Sequence, residues 1–284
     1  MIPYAHVIGD PIAQSKSPLI HGFWLEKLGI EAEYSAEHVT SGNLADYLSR
    51  QQADNHWRGC NVTMPHKQAV IEHLANVDEV ATRIGAVNTI YTAVDRQLAG
   101  TNTDAAGFLE ALRPHLAQTH YFRMARILGT GGAARAIIAA LAGEGFTLVV
   151  AGRNPEKARD LLDELAPAGE HHAVHLDHFA EPTDFAFDDR EGCLDLIVNA
   201  SPLGMTGNPP LAFDWSHAPP GTIAYDIVTS PADTDFLKAA LEKGHPTING
   251  FAMLIGQAAV AFEIFFGLAP PREHDAELME ILTR

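Results

Sequence analysis

Apolar and polar residues follow two different periods along the chain. Short apolar runs, such as residues 4–8 and 194–198, are typical of buried strands. Between such runs, stretches such as residues 19–28 and 105–112 carry apolar residues three and four positions apart, which is typical of helices with one buried face. The repeated change from one period to the other predicts an α/β fold with parallel sheets.

Length, charge and cysteine content narrow the class of protein. A chain of 284 residues is expected to form two domains. The formal net charge of −17 argues against nucleic acids and anionic membranes as partners, and no apolar run approaches the ~20 residues that cross a bilayer. Cys60 and Cys193 lie in separate apolar runs, which predicts buried thiols in a reducing compartment. Because residues 1–8 also lack a basic segment with a cleavage site, we expect a cytoplasmic protein.

The segment from Asn61 to Lys67 is the first candidate for chemistry. The apolar run Cys60–Met64 predicts a buried strand, and Pro65 is expected to open a helix with Lys67 in its first turn. The helix dipole disfavours a cation at that end, so helix stability does not explain the lysine. A bound substrate or a partner carboxylate would explain it, and the alternative is an ordinary surface lysine.

Several other polar residues lie at positions that a purely structural role, such as helix capping, explains only in part. Ser17 before Pro18 predicts a helix N-cap, whereas Ser15 has no such structural reason in its predicted extended segment, and the pair suits a hydroxylated carboxylate. Asp104 follows a hairpin and starts a helix, where Thr103 could cap instead. An amide in an apolar strand or helix, such as Asn88 or Gln257, is either a satisfied structural group or a substrate contact.

A glycine-rich turn in the middle of the chain predicts a dinucleotide site. Gly129, Gly131 and Ala134 match the G-x-G-x-x-G/A pattern between a strand at residues 124–128 and an alanine-rich helix. Glycines there allow backbone amides to approach a pyrophosphate at the helix N-terminus. The next strand ends at Arg153 rather than at an acidic residue. Because a guanidinium suits a 2′-phosphate, the expected cofactor is NADP, the alternative being a surface arginine.

With these residues placed, the sequence resembles the shikimate dehydrogenase family over almost its whole length. Six motifs in order carry the resemblance, and no metal belongs to them. They are Ser15-x-Ser17-Pro18, Asn61-Val-Thr-x-Pro-x-Lys67, Gly85-Ala-Val-Asn88-Thr, Asn102-Thr-Asp104, Gly129-x-Gly131-Gly132-Ala133 and Gly250-x-x-Met-Leu-x-x-Gln257.

The resemblance implies an activity, a domain plan and roles for individual residues. It implies reversible NADP-linked reduction of 3-dehydroshikimate to shikimate in aromatic amino acid (chorismate) biosynthesis, by a monomer or homodimer. A substrate domain of residues 1–104 and 251–284 would accompany a Rossmann-type doubly wound NADP domain of residues 105–250. Lys67 and Asp104 would be the catalytic pair. The implied substrate ligands are Ser15, Ser17, Thr63, Asn88, Asp104, Thr229 and Gln257. The implied cofactor contacts are Glu79, Gly129, Thr130, Gly131, Gly132, Ala133, Arg153, Asn154, Ser201, Ile227 and Gly250.

Departures from the family pattern leave alternatives open. Thr229 stands where the family usually has a substrate-facing tyrosine, and Gly152 and Asn154 flank Arg153 in place of the usual Asn and Thr or Ser. A quinate/shikimate dehydrogenase of the same family, with a broader substrate range or with NAD use, is therefore the nearest alternative. A folate-type methylene dehydrogenase would carry tyrosine at position 63, where this chain has Thr63. A non-catalytic sensor of shikimate or quinate could lack Lys67 or Asp104, and this chain has both.

Overall fold

The computed structural model describes residues 2–187 and 190–283, which form two compact units. The first unit contains residues up to Gly107 together with Leu254 and the residues after it, and the second runs from Phe108 to Met253. The first unit is therefore built from both ends of the chain, with the second inserted between them.

Strands and helices alternate along the described chain, as the change of hydrophobic period predicts. The strands are β1 Tyr4–Gly9, β2 Glu33–His38, β3 Trp57–Val62, β4 Asn76–Val77, β5 Thr89–Thr92, β6 Leu98–Thr101, β7 Phe122–Leu128, β8 Thr147–Gly152, β9 His172–His175, β10 Cys193–Asn199, β11 Ile223–Asp226 and β12 Thr247–Ile248. The helices are α1 Ser17–Leu28, α2 Leu44–Ala53, α3 Glu79–Ile84, α4 Asp104–Glu110, α5 Arg113–Leu116, α6 Gly132–Gly143, α7 Pro155–Leu165, α8 Asp235–Glu242, α9 Gly250–Phe266 and α10 Asp275–Leu282.

The first unit contains a mixed sheet with the strand order β2–β1–β3–β5–β6–β4. Strands β1, β2 and β3 are parallel, and β5 and β6 form the antiparallel hairpin expected around residues 95–97. The short parallel contact of β4 with β6 closes the far edge. The carboxyl ends of β3 and β6 lead into the segments that carry Lys67 and Asp104.

The second unit contains a parallel sheet with the order β12–β11–β10–β7–β8–β9. Chain order therefore reverses between β7 and β10, which is the topological switch point of a doubly wound sheet, where such folds bind ligands. The stacked rings of Phe108 and Tyr225, with centroids 4.7 Å apart, belong to the core beneath this sheet. The predicted fold class, α/β with a Rossmann-type doubly wound unit, is confirmed.

Local predictions around the serines and the lysine were wrong. No helix opens at Pro65; residues 64–65 form a turn, and a short 3-10 helix begins only at Ala69. Ser17 is not the N-cap of α1 but its first residue, and the residue before it, Lys16, has helical backbone angles rather than extended ones. The error at Pro65 arose because proline was taken as a helix-start signal, although proline also fits turns. At Pro18 the same signal was right, and α1 begins only one residue earlier than expected.

Smaller expectations had mixed outcomes. Gly29 ends α1 in a left-handed conformation with φ 63°, as expected of a helix C-cap. Cys60 is a buried free thiol, whereas Cys193 is only partly buried. Residues 181–192 have no helix or strand where they are described, and residues 188 and 189 lie outside the described residues.

Membrane-spanning helices and metal-binding clusters are both absent from residues 2–187 and 190–283. No helix there has the length and apolar content needed to cross a membrane. The same part of the chain contains no group of three or more histidine, cysteine, aspartate or glutamate side chains placed to hold a metal ion.

Candidate active site

Lys67 lies in the loop between β3 and the 3-10 helix, and buried contacts hold that loop in place. The backbone carbonyl of Lys67 accepts a hydrogen bond from Val87 N at 2.7 Å. The preceding residue, His66, is fully buried, and its Nε2 donates to the carbonyl oxygen of Val39 at 2.6 Å. Sequence reasoning missed His66, because a histidine next to a candidate lysine carries no separate signal. The backbone at Lys67 is therefore fixed from both sides.

The side chains of Lys67 and Asp104 form an ion pair. Lys67 Nζ lies 2.5 Å from Asp104 Oδ2, and the two side chains are 16% and 7% exposed. A charge-assisted hydrogen bond is stronger in such a shielded position than at the surface. Removing either partner would leave an uncompensated charge with little access to water. Asp104 is therefore the partner carboxylate that would explain the position of Lys67.

Asp104 is held by three further features of its surroundings. Its Oδ1 accepts a hydrogen bond from Asn88 Nδ2 at 2.8 Å, and its backbone N–H donates to Asn102 Oδ1 at 3.0 Å. As the first residue of α4, it lies at the positive end of the helix dipole, which favours an anion. Thr103 precedes the helix and accepts Gly107 N–H with its carbonyl oxygen. The carboxylate therefore has a fixed orientation.

Asn88 is fully hydrogen-bonded within the first unit. Its Nδ2 donates to Thr103 Oγ1 at 3.0 Å as well as to Asp104, and its Oδ1 accepts Thr103 N–H at 2.8 Å and Thr89 Oγ1–H at 3.0 Å. Because both of its N–H groups are hydrogen-bonded, Asn88 matches the first of the two alternatives given for it from the sequence, a satisfied structural amide. The structure also places it in direct contact with a candidate catalytic carboxylate, so structural and functional roles are not exclusive here.

The two serines differ in their surroundings. Ser15 is partly exposed, and its Oγ accepts the backbone N–H of Ser17 at 3.3 Å. Ser15 therefore has the local structural role that sequence reasoning denied it. Ser17 is buried. Burial raises the pKa of nearby Tyr34 well above its ordinary value, and the Ser17 hydroxyl opposes that shift.

Thr63 and Gln257 complete the candidate substrate ligands of the first unit. Thr63 is partly buried directly after β3, and its backbone N–H donates to the carbonyl oxygen of Ile8 at 2.9 Å. Gln257 is buried on α9, with Nε2 donating to Leu254 O at 2.8 Å. A Cβ at Gly107 would lie 2.3 Å from Gln257 N, so α4 and α9 meet with no room for a side chain. This close approach brings Gln257 near the helix that Asp104 begins.

In the second unit, the predicted glycine turn connects β7 to α6. Gly129 has φ 132°, and a Cβ there would lie 2.6 Å from the carbonyl oxygen of Ala200, at the end of β10. Only glycine fits both this backbone angle and this contact. A Cβ at Gly131 would have no neighbour within 4 Å, so the turn leaves open space at the N-terminus of α6. A backbone that is tight on one side and open at a helix N-terminus fits a pyrophosphate. The remaining turn residues are Thr130, Gly132 and Ala133.

Arg153 and its neighbours follow β8, next to this turn in the sheet. Arg153 is exposed and forms no hydrogen bond or ion pair with any residue the structure describes. Asn154 caps α7, because its Oδ1 accepts the N–H groups of Glu156 and Lys157, which leaves Nδ2 as its remaining donor. A Cβ at Gly152 would lie 2.8 Å from Thr130 Cγ2, so the threonine in the glycine turn explains the glycine before Arg153.

The remaining candidate cofactor contacts have different surroundings. Ser201 Oγ donates to Asn199 Oδ1 at 2.8 Å in the loop after β10. A Cβ at Gly250 would lie 2.5 Å from the carbonyl oxygen of Ile227, so these two residues lie together at the start of α9. Thr229, assigned to the substrate, is partly buried two residues further along, and Glu79 is exposed at the first residue of α3 in the first unit.

A buried carboxylate that sequence reasoning left without a role joins two loops at the switch point. Asp226 accepts hydrogen bonds from Asn199 Nδ2 at 3.0 Å, Thr234 Oγ1 at 2.6 Å and Val228 N at 3.0 Å. Burial raises its pKa, and these three donors oppose the shift. Asp226 therefore holds the loop with Ser201 and the loop with Ile227 in a fixed arrangement.

A doubly wound unit with a glycine turn, joined to a unit with a buried lysine–carboxylate pair, defines a dinucleotide-dependent oxidoreductase. Comparison with protein families narrows this class. Residues 7–90 match the model of the shikimate dehydrogenase substrate binding domain, and residues 250–280 match that of the shikimate 5′-dehydrogenase C-terminal domain.

Relatives and solved structures agree with these matches. An NADP(+) shikimate dehydrogenase from Sphingopyxis alaskensis is 47% identical over 99% of this chain and 97% of its own length. A shikimate dehydrogenase solved with NADP+ superposes with a TM-score of 0.86 at 32% identity, over 100% of this chain and 96% of that one. The Thermus thermophilus enzyme, solved with NADP(H) and shikimate, superposes with a TM-score of 0.79 at 35% identity, over 99% of this chain and 100% of that one. The chain belongs to the shikimate dehydrogenase family, and the resemblance seen in its motifs is confirmed.

Proposed function

We propose that this protein catalyses the reversible NADPH-dependent reduction of 3-dehydroshikimate to shikimate, with Lys67 and Asp104 as the catalytic pair. The observation that carries the proposal is the shielded ion pair of these two side chains, with Nζ and Oδ2 2.5 Å apart. Family membership and the NADP(+) shikimate dehydrogenases among its relatives support the reaction and the cofactor.

The proposed chemistry follows from the two side chains. When bound, NADPH supplies a hydride to the ketone carbon of the substrate. The ketone oxygen gathers negative charge, and the Lys67 ammonium stabilises that charge and donates the proton. Asp104 holds Lys67 in place through Oδ2 and accepts a hydrogen bond from a neighbouring substrate hydroxyl. In the reverse direction Lys67 takes the proton back from the alcohol.

The proposed substrate ligands lie mainly in the first unit. The hydroxyls of Ser15 and Ser17 would bind the substrate carboxylate near the N-terminus of α1, which attracts anions. Thr63, Asn88 and Gln257 would contact the ring hydroxyls. Asn88 would exchange its bond to Thr103 Oγ1 for the substrate and keep its bond to Asp104. Thr229, which belongs to the second unit, is the remaining proposed ligand. Residues 1–104 and 251–284 would form the substrate domain.

The proposed NADP site lies in residues 105–250. The turn from Gly129 to Ala133 would hold the pyrophosphate, and Arg153 with Asn154 Nδ2 would bind the 2′-phosphate. Ser201, Ile227 and Gly250 would contact the nicotinamide half at the switch point. Glu79, which belongs to the first unit, is the remaining proposed contact.

Two further properties belong to the proposal. We propose a monomer or a homodimer in the cytoplasm. The free thiols of Cys60 and Cys193 support a reducing compartment. Burial raises the pKa of the Cys60 thiol to about 12, so this thiol is not poised for disulfide chemistry.

Initial rates with purified protein test the function. Shikimate and quinate are each measured with NADP and with NAD. The proposal predicts activity largely confined to shikimate with NADP. Comparable or better turnover of quinate, or with NAD, would instead assign the protein to the quinate/shikimate branch and identify Thr229 and Gly152 as the first residues to exchange. No turnover with any pair would favour a sensor.

A further inference from the structure

A continuous chain of buried hydrogen bonds leads from Tyr34 to Asp104. Tyr34 Oη lies 2.6 Å from Asn61 Oδ1, and Asn61 Nδ2 lies 3.0 Å from Thr89 Oγ1. Thr89 Oγ1 lies 3.0 Å from Asn88 Oδ1, and Asn88 Nδ2 lies 2.8 Å from Asp104 Oδ1. All five residues are buried, and they come from separate parts of the first unit: β2, β3, the start of β5 and the start of α4.

Two backbone groups fix the orientation of both amides in this chain. Asn88 Oδ1 faces the backbone N–H of Thr103 at 2.8 Å, and because that group can only donate, the oxygen must be on this side. Asn88 Nδ2 therefore faces Asp104. Asn61 Nδ2 faces the carbonyl oxygen of Asn88 at 3.3 Å, which can only accept, so the amide nitrogen must be on this side.

The orientation of the amides determines the direction of the remaining bonds. Thr89 Oγ1 accepts from Asn61 Nδ2, so its own hydrogen is available for Asn88 Oδ1. Tyr34 must donate to Asn61 Oδ1, and burial raises the pKa of Tyr34 well above its ordinary value, which keeps the phenol protonated. Every donor thus points towards Asp104, and bonds aligned in one direction polarise one another in a shielded environment.

We propose that Tyr34, Asn61 and Thr89 are positioning residues, which act through Asn88 to hold the Asp104 carboxylate ready to orient Lys67. This inference rests on the proposed function of Lys67 and Asp104, and it concerns residues that touch neither of them. The chain ends at Tyr34, whose hydroxyl donates to Asn61 Oδ1.

Strand β5 offers a matched pair of threonines for the test. Thr89→Val removes the hydroxyl from the chain and keeps the branched shape of the side chain, and Thr89→Ser keeps the hydroxyl. Thr92→Val is the control, because Thr92 Oγ1 is buried without a hydrogen-bond partner among the described residues. Both valine variants make the same chemical change on one strand, and only the first interrupts the chain.

We expect Thr89→Val to lower kcat by about 5- to 10-fold, which is the loss of roughly one buried hydrogen bond. The KM for NADPH should be unchanged. Thr89→Ser should retain kcat within about twofold of the wild type, and Thr92→Val should match the wild type. Wild-type kcat in Thr89→Val, an equal loss in Thr92→Val, or a serine variant as slow as the valine variant would each overturn the proposal.

A second variant and a second measurement keep the inference testable on its own. If Thr89→Val does not fold, Tyr34→Phe removes the first donor and keeps the ring, with an expected loss in kcat of about 2- to 5-fold. The side-chain amide signals of Asn88, assigned in a ¹⁵N–¹H NMR spectrum through an Asn88→Ser variant, should move in Thr89→Val and not in Thr92→Val. This readout needs no turnover. If the wild type is inactive, the proposed function fails while the NMR comparison still decides whether the chain orients Asn88; unmoved signals would overturn it.

Discussion

The two proposed sites of this protein are built in opposite ways. Around Lys67 and Asp104, the polar side chains of the first unit are buried and hydrogen-bonded to one another, with Asp104 bound by both Lys67 and Asn88. In the second unit, the proposed NADP site consists of a partly exposed glycine turn and of Arg153, which is exposed and has no partner among the described residues. Proton transfer requires fixed atoms, whereas a cofactor that is exchanged in every cycle requires accessible donors.

The two sites therefore differ in when their side chains become ordered, either during folding or on binding of the cofactor. The catalytic carboxylate is oriented by bonds formed during folding, so little reorganisation is left for the reaction. Arg153 loses side-chain freedom only when it binds a phosphate, which lowers the affinity that it contributes. Variants of the first unit should therefore change kcat, and variants of the second unit should change KM for the cofactor.

The largest expected effect is that of Lys67→Ala. Loss of the proton donor should lower kcat by ~10²–10⁴ and leave NADPH affinity nearly unchanged, measured by steady-state rates and by fluorescence titration of NADPH. The matched control is Lys27→Ala, which breaks another lysine–carboxylate pair of the first unit, to Glu277 at 2.7 Å, in an exposed position. That variant should keep full turnover. A near-normal kcat in Lys67→Ala would refute the catalytic assignment.

Arg153→Ala should give the next largest effect, in the other unit. Loss of charge-assisted hydrogen bonds to a 2′-phosphate should raise KM for NADPH by about 10- to 100-fold, with kcat nearly unchanged. The KM for NADH, which lacks this phosphate, should change much less. Arg159→Ala serves as the control, because Arg159 is an exposed arginine on α7 that bonds only the carbonyl oxygen of His171 in the described structure. Equal effects on both cofactors would show that Arg153 does not bind the 2′-phosphate.

Gly107→Ala tests how closely the first unit is packed. A Cβ at this position would lie 2.3 Å from Gln257 N, so α9 must shift, and we expect the free energy of unfolding to fall by about 1–3 kcal/mol. The KM for shikimate should rise because Gln257 moves. Gly22→Ala, within α1 and with no neighbour inside 4 Å, should be neutral or stabilising. Urea unfolding and steady-state kinetics measure both variants; equal stability in the two would contradict the observed contact.

The smallest expected effect concerns pH and the buried His21. Its ring stacks on Tyr34 with centroids 3.8 Å apart, both ring nitrogens lack partners among the described residues, and burial lowers its pKa to about 3. Between pH 6.5 and 3 the unfolded chain therefore binds a proton that the folded chain does not, so stability falls as the pH falls through this window.

Replacing His21 by Phe should remove this part of the pH dependence. From pH 8 to pH 5.5 the wild type should lose about 1 kcal/mol more unfolding free energy than His21→Phe. Urea unfolding at the two pH values measures this change for each protein. The comparison does not depend on the absolute stability of the variant. The same loss in both proteins would show that His21 is not held neutral by burial.

Sequence reasoning was most successful where the signal is local. The strand, glycine turn and helix from residue 124 onwards occur as predicted, because a buried strand, the turn and a helix each have their own hydrophobic period or backbone requirement. The helix expected at Pro65 was wrong, because one proline signal serves both helix starts and turns. The start of α1 was misplaced by one residue. His66 and the chain from Tyr34 to Asn88 went unrecognised, because most of their partners lie 15 to 28 positions away in sequence.

The sequence by itself determined the fold class, because hydrophobic periods and glycine positions are set residue by residue, and its six motifs carried the resemblance to the family. It also named Lys67 and Asp104 as candidates, from the types of residue at the ends of strands. The tertiary structure alone decided that these two side chains form an ion pair, that Asn88 is bonded to Asp104, and that Gly107 adjoins Gln257. Each of these facts depends on the approach of segments distant in sequence, and the packing of a whole unit determines such approaches.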